Sequence, residues 1–271
     1  MPIDFVYPND EKVWGPDVSF YQDEDETPRG IDFNKMKEEG ADFVFIRAGQ
    51  WNWIDPDFQT NWSAAKEAGL LRGAYWFLDA RGSANSQANL FRSLLAPDPG
   101  ELRPVVDFEH ETSHLVKDKR GKTKSSKLFL STQQLYGFLQ TLNWPVKPII
   151  YTGYYYWQDH GSKDPAFADH PLWLAQYRVE KPQIPAPWKT WLFWQFTETG
   201  PGKVLGAESN AIDLNYFNGS KDQLLKFAGK SVDIPVPTNT TDPTVHGKTT
   251  VTLTWIDADG QHRTETTEVE F

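Results

Sequence analysis

The chain has 271 residues and a formal net charge of −10, a balance that argues against phosphate-backbone binding as its main task. Apolar residues make up 39% and aromatics 14%, with 12 tryptophans, so a substantial core is available and the composition does not suggest general disorder. With no cysteine there are neither disulfides nor thiolate metal sites, and no apolar run approaches the roughly 20 residues that span a bilayer.

The opening MPIDFVYPNDEKVWG lacks a basic start and an apolar core, so no secretory signal is expected. From there the chain reads as buried strands separated by helices. WGPDVSFYQ (14–22) is the first strand candidate and FVFIRAG (43–49) the second, a continuous apolar run of the kind buried on both faces. GAYWFL (73–78), PVVDF (104–108), PIIYTG (148–153), PLWLAQY (171–177), WLFWQF (191–196) and AIDLNYF (211–217) bring the number to eight. Between them Asp32 is placed to cap a helix ending at Gly40, and Asp55 with Pro56 to open one ending near Gly69. Ser83 opens a third, and Ser131 with Gln134 makes a capping box for a fourth. Eight such strands predict a parallel sheet closed into an α/β barrel of the TIM type, irregular after residue 160 where the helical pattern weakens.

Residues 110–130 are polar and locally basic and read as a solvated loop on the same rim as the strand before it. Residues 231–247 have the Pro, Thr and Asn content of a linker. Residues 248–271 alternate on both sides of DADG, which predicts a small C-terminal β-hairpin extension. A lone hairpin is marginal in water, so docking on the barrel, on a partner chain or on a ligand is expected.

PVVDFEH (104–110) ends an apolar strand with two acids on either side of a phenylalanine. Alternation points Asp107 and Glu109 the same way, with α-carbons about 7 Å apart at a rise of ~3.3 Å per residue. Asp17 in GPDVSF and Asp213 in AIDLNYF bring further carboxyls to the same rim. Crowded acids in an aromatic surround acquire different proton affinities, so one can serve as a proton donor while another stays charged. Glycoside hydrolysis needs such a pair; a salt-bridged strand end is the bland alternative. Among the aromatics, Tyr75, Tyr151 and Trp173 are placed to pack on sugar faces, and Gln176 and Gln195 to hold an acetamido or hydroxyl group. Arg47 is either a core ion-pair partner or the neighbour that keeps an acid charged. No histidine cluster, calcium loop, GxSxG or phosphate-binding glycine loop is present, so neither a metal nor another cofactor is expected.

In order along residues 14–219, these strand motifs resemble glycoside hydrolase family 25, the muramidases of the Chalaropsis type. The resemblance implies an irregular (β/α) barrel over residues 1–230 that cleaves the β-1,4 bond between N-acetylmuramic acid and N-acetylglucosamine, with bacterial peptidoglycan as partner. It implies Glu109 as general acid and Asp107 as its partner, acting at the anomeric centre or orienting the substrate's acetamido group, with Asp17 and Asp213 as further acids. GAYWF departs from the family, which often has a histidine at the position of Trp76, and this is expected to alter a substrate contact. A phage lysin, kept in the host cytoplasm until released to the wall, is the expected setting; export by a non-classical route is the alternative. The runner-up functions are a chitinase-like barrel, against which stands the lack of aspartates before Asp107, and a non-catalytic glycan-binding barrel, against which stand the four acids. The oligomeric state, the target wall and retention versus inversion stay open.

Overall fold

The computed structural model describes residues 12–23, 30–117, 119, 122–229, 248–256 and 262–270. The chain divides into two compact units, one to Val232 and one from Asp233. In the first, the elements up to the acid pair are β1 (Trp14–Val18), α1 (Phe33–Glu38), β2 (Phe43–Gln50), β3 (Trp53–Ile54), α2 (Phe58–Glu67), β4 (Leu71–Phe77), α3 (Ala84–Leu95) and β5 (Val105–Asp107). Then follow β6 (Glu111–Lys117), β7 (Thr123–Phe129), α4 (Thr132–Leu142), β8 (Ile149–Gly153), α5 (Tyr154–His160), β9 (Leu172–Ala175), β10 (Phe193–Pro201), β11 (Ala211–Phe217) and α6 (Lys221–Phe227).

All eight expected strands are present, and they close into a barrel in the order β1, β2, β4, β5, β8, β9, β10, β11 and back to β1. The sheet is mixed rather than parallel, because β11 runs antiparallel to both β10 and β1. No helix intervenes between β10 and β11, and parallel pairing needs a long crossover that residues 202–210 do not supply. Helix punctuation follows the side chains: Asp32, Ser83, Ser131 and Ser220 each accept a backbone N–H at the start of α1, α3, α4 and α6. Asp55 does not cap α2. Its carboxylate turns inward to the Arg47 guanidinium at 2.9 Å and accepts the Phe20 and Asp57 N–H groups.

The strand period of two divides the core. Phe43, Phe45, Leu71, Val105, Ile149, Trp173 and Phe193 fill the barrel, while Val44, Ile46, Ala74, Trp76, Val106, Phe108 and Leu174 pack outward with the helices. Phe45 stacks on Trp173 with centroids 4.2 Å apart, and Phe193 meets Phe45 edge-on at 5.0 Å. Leu224 and Phe227 of α6 join the interior cluster at the end where the parallel strands begin.

Residues 110–130 are not a loop. β6 and β7 form an antiparallel hairpin with Glu111 opposite Phe129, directly after the acid pair. Its Thr and Val residues suit a strand, but its lysines and serines break up any apolar alternation in the sequence. Its base is fixed by the Tyr156 hydroxyl, which donates to the His110 carbonyl and accepts the Leu130 N–H. In the second unit, residues 248–256 and 262–270 pair antiparallel with Lys248 opposite Glu270. The linker at 231–247 and the DADG turn at 257–260 lie outside the described residues.

Gly73, on β4 inside the barrel, leaves room for the Phe45 ring: a Cβ there would sit 2.3 Å from that ring. Gly73→Ala is expected to destabilise the protein by about 1–3 kcal/mol through overpacking. Urea denaturation with an unchanged m-value checks this; an unmoved midpoint would show that the layer has slack.

Candidate active site

Where β5 ends, the chain holds its two acids by anchoring the residue between them. Phe108 is fully buried against Tyr156 and Trp157, its N–H bonds the Tyr151 carbonyl at 2.8 Å, and its carbonyl accepts the Thr152 hydroxyl at 2.8 Å. With Phe108 turned outward, Asp107 and Glu109 line one cavity of about 180 Å³. Asp17, Arg47, Tyr75, Tyr151, Trp173, Gln195 and Asp213 line it too, so the barrel gathers nine of the ten residues singled out from the sequence.

The tenth, Gln176, lies outside. It stands one position past the inward-facing Ala175, so it takes the outward direction, where its Oε1 accepts the Gln183 N–H at 2.7 Å and its carbonyl the Trp194 indole N–H. Parity also corrects the expectation for Trp76. It is wholly buried, donates to Gln87, and touches no substrate space, while Tyr75 and Phe77 on either side face the cavity. Phe77, Ser19, Tyr21 and Gln22 complete the lining and were missed. Phe77 shares the parity of Tyr75 and was legible on that ground; Tyr21 follows β1 in a single 3-10 turn capped by Ser19, where strand alternation gives no guide.

Gln195 is the hub of the polar network. Its Oε1 accepts the hydroxyls of Tyr151 at 2.8 Å and Tyr177 at 2.5 Å, and its Nε2 donates to Asp17 at 2.8 Å and to Asp213 at 3.2 Å. All four hydrogen-bonding positions of the amide are thus used. Below it, the Trp173 indole donates to Asn215 Oδ1 at 2.7 Å, and Asn215 Nδ2 donates to Asp17 at 2.9 Å. Asp17 and Asp213 are paired across β1 and β11, so the antiparallel strand delivers its acid near its start rather than its end. Against this saturation, Asp107 Oδ1 and Arg47 Nη2 are buried with no hydrogen-bond partner among the described residues.

Four carboxyls share this space. Burial pushes Glu109 up to about 7, with the Asp17 charge adding to the rise and a Tyr151 hydrogen bond opposing it. Asp213 is pushed up to about 8 by burial and then by Asp17, Glu198 and Glu109. Burial also raises Asp17 to about 6, held down by Asn215 and Gln195. Asp107 rises well above the usual carboxylate range through burial and the charges of Glu109 and Asp17, with Arg47 opposing. The acids titrate as a set that carries fewer than four charges at neutral pH. Such a set offers a protonated donor beside an ionised neighbour, which is the requirement of acid-catalysed bond cleavage.

Two larger cavities, about 420 and 460 Å³, lie where β8 and β9 begin, away from these acids. Size alone is a poor guide here; the small cavity holds the convergent carboxyls.

The sequence profile of the family described as Glycosyl hydrolases family 25 matches residues 16–204. The chain is 31% identical to Lysozyme M1 of Streptomyces globisporus over 231 residues, 81% of this chain and 72% of that protein. Its fold is similar to the bacterial lysozyme of Streptomyces coelicolor, with TM-score 0.64, 29% identity, and coverage of 81% of this chain and 98% of that one. It is likewise similar to a family GH25 lysozyme of Aspergillus fumigatus, with TM-score 0.62, 28% identity, and coverage of 80% and 99%.

The raised values set the sign of a pH effect on stability. A carboxyl with a higher pKa folded than unfolded binds more protons in the native state, so its stabilising contribution is present at low pH and lost as pH rises through the folded value. For Asp17, Glu109 and Asp213 the window runs from about pH 4 to pH 8. Thermal unfolding is expected to give a melting temperature that falls across it. Asp213→Asn, which keeps an acceptor for Gln195, should raise the melting temperature at pH 8 more than at pH 5; equal shifts at both would refute the assignment.

Proposed function

Because the chain belongs to glycosyl hydrolase family 25 and is a glycoside hydrolase of the muramidase kind, we propose that it cuts the β-1,4 bond between N-acetylmuramic acid and N-acetylglucosamine with Glu109 as proton donor and Asp107 as partner of the substrate's acetamido group. The observation that carries this reading is the convergence of Glu109, held protonated to about pH 7, with Asp107, whose Oδ1 is buried and unpartnered, in one aromatic-walled cavity.

In this mechanism Glu109 gives its proton to the bridging oxygen as the bond from C1 breaks, so the leaving sugar departs as a neutral alcohol. The acetamido oxygen of the muramic acid residue closes on C1, and Asp107 Oδ1 accepts the acetamido N–H, which favours that closure. The Glu109 carboxylate then takes a proton from water as its oxygen reopens the ring at C1, and the starting state returns with retained configuration. Asp17, more readily ionised than Glu109 or Asp213, places negative charge near the cation that develops at C1. The Gln195 amide and Asn215 keep Asp17 in place while this happens.

Reducing ends released from purified peptidoglycan and from chitin test the reading. Wild type is expected to digest the wall glycan, and Glu109→Gln to lower the rate by ~10²–10⁴-fold. Activity on chitin alone, or an undiminished Glu109→Gln enzyme, would reject it. The part assigned to Asp107 has its own check: N-deacetylated glycan should go uncut, whereas a nucleophilic Asp107 would still cleave it.

For setting we propose a phage lysin, made in a cytoplasm and acting on the wall after release. A chain with no cysteine needs no oxidising compartment to fold, which supports this. Bacteria whose purified wall the enzyme digests should tolerate its cytoplasmic production, and should lyse when the inner membrane is permeabilised. Lysis without permeabilisation would count against this setting.

A further inference from the structure

Beside the acids stands a group of apolar side chains that the mechanism leaves unused. Tyr21 is 63% exposed, Trp51 42%, Trp53 40% and Ile54 43%. They belong to two neighbouring segments, the turn after β1 and the tight hairpin in which Gln50 pairs with Trp53. Phe20 links them: its ring is 4.0 Å from Tyr21 and 5.4 Å from Trp53, centroid to centroid. The Arg47 guanidinium lies against all three, at 4.7 Å from Phe20 and 5.3 Å from Tyr21 and Trp53. Tyr21 and Arg47 also line the acid cavity, so the group is continuous with it.

Trp51 is the telling member. Two residues, Trp51 and Asn52, join the hairpin strands, and Trp51 takes a φ of +53°, a left-handed conformation for which glycine is the usual residue. Local folding alone selects against a tryptophan there. The neighbouring loop is fitted to it nonetheless. The Arg81 guanidinium lies 5.0 Å from its ring, and Arg81 is itself held by Asp79. Gly82 provides the space, since a Cβ there would come within 2.4 Å of the indole.

The occupant follows from the substrate. A cavity of about 180 Å³ holds little more than the sugar being cut, whereas a glycan strand is a polymer whose neighbouring rings must lie on the surface outside. Pyranose rings present flat C–H faces, and large rigid aromatics give contact area at low entropic cost. We propose that Trp51, Trp53 and Tyr21 form a stacking platform that binds the sugar rings of a β-1,4-linked N-acetylhexosamine strand beyond the residue held over the acids.

This inference rests on the muramidase reading, and its test separates the two. In the Glu109→Gln background, affinity for N-acetylhexosamine oligosaccharides of two to six rings, followed by tryptophan fluorescence, should rise with length. Adding Trp51→Ala or Trp53→Ala should cut that length-dependent gain by about tenfold, the scale of losing an aromatic anchor. Trp51→Gly should cut it equally while holding or raising the melting temperature, because glycine accepts the turn without strain. Retention of the full gain in Trp51→Ala and Trp53→Ala would overturn the platform, as would a loss of affinity that appears only with a loss of stability. Failure of the wild type to cut wall glycan would instead strike the parent reading, leaving the length dependence as measured.

Discussion

A closed barrel leaves each strand side chain two directions, into the barrel or out toward the helices, and the chemistry of this protein depends on which residues take the first. The strand residues that line the acid cavity stand at 17, 47, 75, 77, 107, 151, 173, 195 and 213, all odd-numbered, with Glu109 continuing the alternation past β5. Their even-numbered neighbours form the second core, between barrel and helices. The same alternation that buries Phe45 and Trp173 as the cavity floor therefore brings the carboxyls together above it. A one-residue slip of any contributing strand would send its acid into the outer core and an apolar side chain into the site.

Bringing four carboxyls together is costly, and the barrel offsets the cost in two ways. It surrounds Asp17 with amide donors: Gln195 and Asn215 both donate to it, Gln195 also reaches Asp213, and the two amides are fixed in turn by Tyr151, Tyr177, Trp173 and the Gly15 carbonyl. It also lets protons stay on the remainder, as the raised values of Glu109 and Asp213 record. Arg47 is the cation of the cavity, yet its Nε is committed to Asp55, outside the acid set. Burial first, and the Asp17 charge second, favour a proton on Glu109 up to about pH 7.

Much of this was legible in the chain. Eight apolar runs gave eight barrel strands, Ser and Asp caps marked α1, α3 and α4, and PVVDFEH announced the acid pair. What escaped has physical reasons. Gln176 and Trp76 were misplaced because their neighbours, not they, face inward, and a hydrophobic run buried on both faces hides its own parity. The direction of β11 depends on the absence of a helix between it and β10, which weak patterning in residues 202–210 did not settle. The segment that forms the β6–β7 hairpin is rich in lysine and serine and shows no sustained apolar alternation in sequence, so it lacked the one signal that separates strand from loop. The Trp51 turn breaks the rule that a left-handed position calls for glycine, and no reading of propensities would have found it.

The pairing of β1 with β11 has a consequence in time. Trp14 lies opposite Tyr216, so the barrel closes by joining segments about two hundred residues apart, a contact that the slow end of folding must supply. Asp17 receives Gln195 and Asn215 from the last two strands of the barrel to be synthesised. A nascent chain that has delivered Asp107 and Glu109 from the ribosome still has Asp17 without its donors and the cavity without one wall. The cavity is thus closed only when β11 arrives to pair with both β10 and β1.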